Sequence, residues 1–378
     1  MRTSGKSLRI AIIAPYVSTP VFGDAHSRKG GVERYTIEIA KELHNLKLDV
    51  TLVAPADGGP EVSSEGIPVK YIPRIGMMMN APLVNPMDLA SAVKDFDILH
   101  TQGVFPLLCD LNPVMAKLNQ AKSVITYHFE PTPKNLMENL ASRIYGMTLA
   151  KMMRRHDRII FTTRSYRQHV RLLGNHCEEK IRYVPSGADS IYFVPDPTVK
   201  VEDRFLFVGR LVPYKNLPVL LKAMAVVKKT LPRHELVIVG TGILEEELKE
   251  MAKKLEINVK FLGRVDDDTL RQLYRSSIST ILPSYVCHEA FGAVLAESMS
   301  CGTPVIACDI PGVGEVASIG GRLVKPCSVD DLAKTMIDAS QSHSTDREKW
   351  DLHAKIEENY SWKKVAGQLA MIYQELMT

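Results

Sequence analysis

Short apolar runs alternate with amphipathic stretches twice along this 378-residue chain, and that rhythm limits the possible folds more than any single motif does. The runs fall at residues 10–14, 50–53, 98–100, 124–127 and 159–162, then again at 205–208, 236–239, 259–262, 280–282 and 305–307. Brief apolar runs separated by helix-length segments are the pattern of βαβ units, whose strands are covered on both faces of a parallel sheet. Residues 32–46 illustrate the helical part. There Val32, Tyr35, Ile39, Leu43 and Leu46 recur at steps of three and four, which predicts one apolar stripe, with Glu33, Arg34, Lys41 and Glu42 left in water. Residues 217–229 predict a similar helix. The expected fold class is α/β with two Rossmann-like halves, each long enough to bury its own core.

Proline and glycine break the periodicity in Val184-Pro185-Ser186-Gly187-Ala188-Asp189 and again in Pro195-Asp196-Pro197. The boundary is therefore expected near 190, giving an N-terminal domain at 1–189, a C-terminal domain at 190–360 and a closing helix at 361–378. That last segment carries Val365, Leu369, Ile372 and Leu376 on one side.

Charge and cysteine usage exclude several classes. The net charge is +4, with the cationic excess in the first half. Nucleic acid is not an expected partner, because the strongly basic patch with interleaved aromatics that it requires is missing. An anionic membrane surface or a phosphorylated acceptor fits better. Residues 151–171 hold Lys151, Arg154, Arg155, Arg158, Arg164, Arg167 and Arg171 beside Met152 and Met153, and Ile75-Gly76-Met77-Met78-Met79-Asn80 reads as an apolar loop upstream. Both suit a peripheral membrane contact, or equally a solvated basic helix and ordinary core methionines. The six cysteines, at 109, 177, 287, 301, 308 and 327, form no C-x-x-C pair, as expected of reduced thiols in a cytoplasmic protein. The apolar run ending at Ala14 is too short for a signal sequence, and no run is long enough to span a bilayer.

The densest chemistry lies in Cys287-His288-Glu289-Ala290-Phe291-Gly292-Ala293-Val294-Leu295-Ala296-Glu297 and the residues that follow, up to Ala307. Glu289 is placed in a loop and Phe291 and Gly292 at a helix N-terminus, with Glu297 about two turns further on. Unpaired N–H groups and the macrodipole at such a terminus favour an anion, so a diphosphate fits between the two carboxylates. This segment resembles the E-x7-E motif of retaining GT-B glycosyltransferases, in particular the glycogen-synthase-like family four, with Ala290 in place of the usual glycine. The resemblance implies two Rossmann-like domains facing across a cleft and a C-terminal helix crossing back to the first domain. It also implies that Glu289 positions the donor sugar and Glu297 binds the ribose. The alternative is a βα turn with two solvated acids.

Other segments match the same family. Phe207-Val208-Gly209-Arg210-Leu211-Val212-Pro213-Tyr214-Lys215-Asn216 resembles its diphosphate clamp, with Arg210 and Lys215 supplying fixed positive charge to the leaving group. A surface arginine and a lysine near a helix start are the bland alternative. In Ser27-Arg28-Lys29-Gly30-Gly31-Val32, Gly31 opens the first helix and is expected to touch donor phosphate or acceptor. In Val124-Ile125-Thr126-Tyr127-His128-Phe129, His128 matches the histidine that reaches a hydroxyl of the donor sugar, with a hydrogen-bonded structural histidine as the alternative. Gly240 and Gly242 lack the third glycine of a dinucleotide fingerprint and are expected to shape a turn beside the nucleotide, whose base meets the chain near Gly263 and Arg264. Asp266-Asp267-Asp268 contains the D-x-D pattern of metal-using glycosyltransferases but stands where a helix begins, so an N-cap is expected there. No cofactor or metal is expected.

The expected function is a retaining, metal-independent glycosyltransferase that moves a hexose from a nucleoside-diphosphate sugar to a glycan, lipid-linked or small-molecule hydroxyl. A GT-B phosphorylase or sugar-nucleotide hydrolase is the nearer alternative, and a non-enzymatic nucleotide-sugar-binding protein the more distant one. The expected location is cytoplasmic, with a possible peripheral contact at the inner membrane face.

Overall fold

The computed structural model describes residues 7–15, 31–56, 66–78, 81–105, 107–128, 149–170, 177–286, 289–342 and 344–378. They form two compact units: Met1–Pro185 with Trp362–Thr378, and Ser186–Ser361. The strands of the first unit are β1 (Arg9–Ile13), β2 (Asp49–Pro55), β3 (Val69–Ile72), β4 (Arg74–Met78), β5 (Ala81–Val84), β6 (Ile98–Gln102), β7 (Lys122–Tyr127), β8 (Arg158–Phe161) and β9 (Ile181–Tyr183). Seven of them make a parallel sheet in the order β3-β2-β1-β6-β7-β8-β9. The second unit carries β10 (Arg204–Val208), β11 (Glu235–Val239), β12 (Val259–Gly263), β13 (Ser279–Leu282), β14 (Val305–Cys308) and β15 (Gly321–Val324), parallel in the order β12-β11-β10-β13-β14-β15.

Each sheet is apolar on both faces because alternate strand residues serve different helix layers. In the first unit Ile10, Ile12, Val50, Leu52, Ile98 and Val124 face Tyr35, Ile39 and Leu43 of the helix Gly31–Asn45. The same layer holds Val365, Leu369, Ile372, Tyr373 and Leu376 of the last helix, Trp362–Met377, so the chain returns to the first unit after completing the second. Ala11, Ile13, Val53 and Leu99 point the other way, onto Leu89, Leu108 and Met115. In both sheets the strand order reverses once, between β1 and β6 and between β10 and β13. Ligands of doubly wound sheets collect at the carboxyl ends of the strands flanking such a reversal.

Three details depart from expectation. Leu46 is exposed rather than part of the first helix's apolar stripe. The helix ends at Asn45 in a Schellman arrangement: Lys47 donates to the His44 carbonyl and Leu48 to that of Leu43, at 2.9 and 3.2 Å, with Lys47 in the left-handed region at φ 66°. That turn swings Leu46 outward and sends Leu48 to the core. Residues 75–78 are not a loop but strand β4, paired antiparallel with β5 and leaving Ile75 and Met77 exposed; Met79 and Asn80 lie outside the described residues. The basic stretch from residue 151 forms no single helical face. A helical segment stops at Met153, which is fully buried; β8 follows, then the helix Arg164–His169, in which Arg167 is buried and ion-paired to Glu178 at 2.5 Å. Arg164 stacks over Tyr183, and Arg171 lies outside the described residues.

The thiols of Cys109, Cys177, Cys301 and Cys308 are free and buried, that of Cys327 is free and exposed, and Cys287 lies outside the described residues. Among the described residues no helix is long and apolar enough to cross a membrane.

Candidate active site

The second unit brings Arg210, Lys215, Ser284 and Glu289 into the loops that follow β10 and β13, where the strand order reverses. The loop after β10 is held by close backbone packing. A Cβ on Gly240, whose φ is +126°, would lie 1.9 Å from the Gly209 carbonyl oxygen, and one on Gly242 2.3 Å from that of Leu211. Only glycine admits this approach. Backbone hydrogen bonds from Gly209 to Val239 and from Leu211 to Thr241, at 2.9 and 3.0 Å, tie the same two loops together. Gly240 donates in turn to the carbonyl of Gly263 at 2.6 Å, and the exposed Arg264 follows. These glycines thus hold the loop that carries Arg210.

Lys215 closes the short 3-10 turn Pro213–Lys215, after which Asn216, in the left-handed region at φ 55°, starts the helix Leu217–Thr230. Its side chain is buried and its ammonium is ion-paired with Glu289, 74 residues further on. Ser284, just past β13, donates to the same Glu289 carboxylate at 3.1 Å. A buried ammonium needs such a partner, since desolvation without one costs several kcal/mol, of order 3–5 for a broken pair. Arg210 stays exposed and donates to the Tyr214 hydroxyl at 3.2 Å, while the Lys215 ammonium sits 5.5 Å from the Tyr214 ring centre.

Past Glu289, Ala290 and Phe291 are buried, and Phe291 meets Tyr360 edge-on at 5.0 Å. Gly312, with φ +87°, presses on Ala290 so closely that a Cβ would lie 2.4 Å from its carbonyl oxygen. Gly292, left-handed at φ 77°, caps the helix Ala293–Ser300. Glu297 lies inside this helix, buried, and accepts a hydrogen bond from the Tyr274 hydroxyl at 2.9 Å. The two carboxylates therefore have different partners: Glu289 is held by a lysine and a serine, Glu297 by a tyrosine. Cys287 and His288 lie outside the described residues.

In the first unit His128 stands at the carboxyl end of β7, half-buried, 3.0 Å through Nε2 from Gln102 Oε1 and edge-on to the Tyr35 ring at 4.7 Å. Burial pushes its imidazole down to about 3, so it is neutral at ordinary pH. Gly31 is the exposed first residue of its helix, and a Cβ there would meet no described atom within 4 Å; Ser27 to Gly30 lie outside the described residues. The described residues around it therefore leave room for a side chain at 31.

Asp266 is the N-cap of the helix Asp267–Ser276, accepting from the Thr269 amide at 2.7 Å, and Asp268 accepts from Tyr192 and Arg271. The D-x-D pattern is thus a helix start. Among the described residues no group of three or more histidine, cysteine or acidic side chains is placed to hold a metal ion.

Two family models cover most of the chain: Glycosyltransferase Family 4 matches residues 29–190 and Glycosyl transferases group 1 matches residues 195–357. The chain belongs to the group 1 glycosyltransferases of GT-B fold. It is 28% identical over 386 residues to the phosphatidyl-myo-inositol mannosyltransferase of Mycolicibacterium smegmatis, spanning 97% of this chain and 94% of that one. Among solved structures it resembles HepE of Anabaena in complex with UDP, with a TM-score of 0.76 at 18% identity over 97% of this chain and all of that one. A structure of the same protein with UDP-glucose aligns with a TM-score of 0.74 at 19% identity, over 97% and 99% of the two chains. As a glycosyltransferase this protein moves a sugar from a nucleotide sugar to an acceptor.

Several residues around the candidate positions of this glycosyltransferase escape sequence reasoning. Ser284 and Gly312 sit in ordinary Pro-Ser and Pro-Gly turns that follow strands. Tyr274 reads as one more member of an apolar helix face with Leu270 and Leu273. Gln102 and His100 hide in a strand that otherwise looks like core. The only signal for the last two is alternation: polar residues at 100 and 102 continue the parity of the buried Ile98.

Proposed function

We propose that this glycosyltransferase is retaining and metal-independent, and that it transfers a hexose from a nucleoside-diphosphate sugar to a hydroxyl of a lipid-linked acceptor. The observation that carries the proposal is the buried cluster of Lys215, Glu289 and Ser284 at the strand-order reversal of the second sheet. As the bond to the sugar breaks, negative charge grows on the diphosphate, and cations already in place lower the barrier without reorganising. Lys215 is one such cation, and Arg210, which donates to the Tyr214 hydroxyl, is the second. Phe291 and Gly292 offer the backbone N–H groups of a helix start to the same phosphates.

Glu289, steadied by Lys215 and Ser284, accepts hydrogen bonds from sugar hydroxyls and does not attack the anomeric carbon. Retention then comes from the departing phosphate taking the proton of a hydroxyl that enters on its own face. Glu297, aimed by Tyr274, takes the ribose, while the base lies near Gly240, Gly263 and Arg264. His128 and Gly31 are assigned to the sugar or the acceptor. The lipid-linked choice is supported by the name of the mannosyltransferase relative. The exposed Ile75 and Met77 on the β4–β5 ribbon support a peripheral membrane contact.

The test is transfer from GDP-mannose, UDP-glucose and UDP-N-acetylglucosamine to phosphatidylinositol vesicles and to soluble glycans, with and without EDTA, with the anomer of the product read by NMR. An α-linked product from an α-linked donor, formed equally in EDTA, is expected. An inverted anomer, loss of turnover on chelation, or sugar released only to water or phosphate would each defeat the proposal.

A further inference from the structure

One face of the first sheet carries a polar stripe through an otherwise apolar layer. His100 and Gln102 of β6 and Thr126 of β7 are fully buried on the face that also presents Ile98 and Val124, and His128 continues it past the strand end. Buried polar side chains cost stability unless they are bonded to one another, and here they are. Tyr373 of the last helix places its hydroxyl 2.6 Å from His100 Nδ1. Thr126 Oγ1 lies 2.8 Å and Gln102 Nε2 3.3 Å from His100 Nε2, and Gln102 Oε1 lies 3.0 Å from His128 Nε2.

The donor and acceptor inventory orders this chain of bonds. An amide oxygen only accepts, so His128 Nε2 carries the hydrogen that faces Gln102 Oε1, and its lone pair is left on Nδ1. The Gln102 amide nitrogen only donates, so His100 Nε2 carries a lone pair and Nδ1 holds the hydrogen bonded to Tyr373. With the Gln102 amide in this orientation, reversing either imidazole would set two donors or two acceptors against each other at its contact with Gln102, whereas the Tyr373 and Thr126 hydroxyls can adapt to either.

We propose that Gln102, backed by His100 and Tyr373, is a positioning residue that fixes His128 as the tautomer protonated on Nε2, so that His128 meets a substrate hydroxyl as an acceptor through Nδ1. This deepens the assignment of His128 to the substrate and rests on it. Tyr373 belongs to the helix that returns from the second unit, so the order at His128 depends on a segment almost 250 residues away in sequence.

Full-length protein labelled with 15N-histidine tests this without substrate. Long-range 1H–15N spectra at pH 7.5, assigned with His128→Gln, are expected to show His128 protonated at Nε2 alone. A spectrum with the hydrogen on Nδ1, or with averaged shifts, overturns the proposal. Gln102→Leu is expected to give averaged His128 shifts and to lower kcat about tenfold, the effect of about one lost hydrogen bond, with the affinity for free nucleoside diphosphate (UDP or GDP, whichever wild type binds) unchanged within twofold. Gln102→Glu, whose carboxylate only accepts, is expected to restore the Nε2–H tautomer of His128 and part of kcat, with His100 switching to carry its own hydrogen on Nε2 and accepting from Tyr373 at Nδ1. Unaltered His128 shifts or unaltered kcat in Gln102→Leu overturn the proposal. Unchanged turnover in His128→Gln would remove His128 from the substrate and the relay's purpose with it, whereas the substrate-free spectrum judges the relay itself.

Discussion

Replacing Lys215 by methionine separates the electrostatic role of its ammonium from its packing. Lys215 is 6% and Glu289 16% exposed at the side chain, so removing the cation strands a largely buried carboxylate with Ser284 as its described partner. Breaking a fully buried pair costs about 3–5 kcal/mol. With Glu289 still reached by water, about 1–3 kcal/mol is expected here after allowing for screening. Lys215→Met with Glu289→Gln removes both charges and should recover most of that loss, because a neutral amide has no uncompensated charge to bury. Turnover should behave differently. Without the cation, kcat is expected to fall by about 10²–10³, the effect of losing one preorganised charge-stabilising donor, and the double variant should not recover it. Guanidinium denaturation with m held constant measures the first quantity, and steady-state transfer at saturating donor the second. Should the double variant regain turnover with stability, or the single variant stay within threefold of wild type, the ammonium plays no part in the chemistry.

Four further outcomes follow from the geometry. Tyr274→Phe, which deletes the donor to Glu297, should weaken binding of the free nucleoside diphosphate by about 1 kcal/mol, and Glu297→Ala by about 1–3; titration calorimetry reads both, and unchanged affinities would take Glu297 away from the nucleotide. Gly240→Ala should destabilise strongly, since its Cβ would fall 1.9 Å from a backbone oxygen, whereas Gly31→Ala should leave the melting temperature unchanged and lower kcat/KM if Gly31 touches substrate. Burial holds His100 down to about 3 and His156 to about 4, while the unfolded chain protonates them near 6.5, so stability is full above that pH and falls as pH drops from about 6.5 towards 4. Each then contributes a loss of about 1 kcal/mol at pH 5.5, and a denaturation midpoint that is flat between pH 7.5 and 5.5 would contradict their neutral burial. Lys47→Gly, which relieves a left-handed lysine, should stabilise the fold by about 1 kcal/mol, seen as a higher denaturant midpoint at constant m.

How much of this was legible in the chain depended on the range of the interaction. Periodicity of two and of three to four residues is a local signal, and it predicted ten of the thirteen parallel strands and the helices Gly31–Asn45 and Leu217–Thr230, but not the edge strands β3, β9 and β15. It failed at Leu46, where a left-handed Lys47 ended the helix through a backbone motif that its residue type does not announce. It also failed for the basic stretch after residue 150, because Arg167 turns inward to Glu178 and Met153 into the core. The N-cap at Asp266 was readable for the opposite reason, since a cap bonds within three residues.

The sequence by itself determined the α/β class, the two-part organisation and the turns where the candidate residues lie, because strand and helix patterning and turn chemistry act between near neighbours. Only the tertiary structure decided that Lys215 is neutralised by Glu289, that Tyr274 holds Glu297, and that Tyr373 closes a bonded series through His100 and Gln102 to His128. Each of these unites positions far apart in the chain, and buried polar groups take whichever partner the packing of distant elements brings within reach.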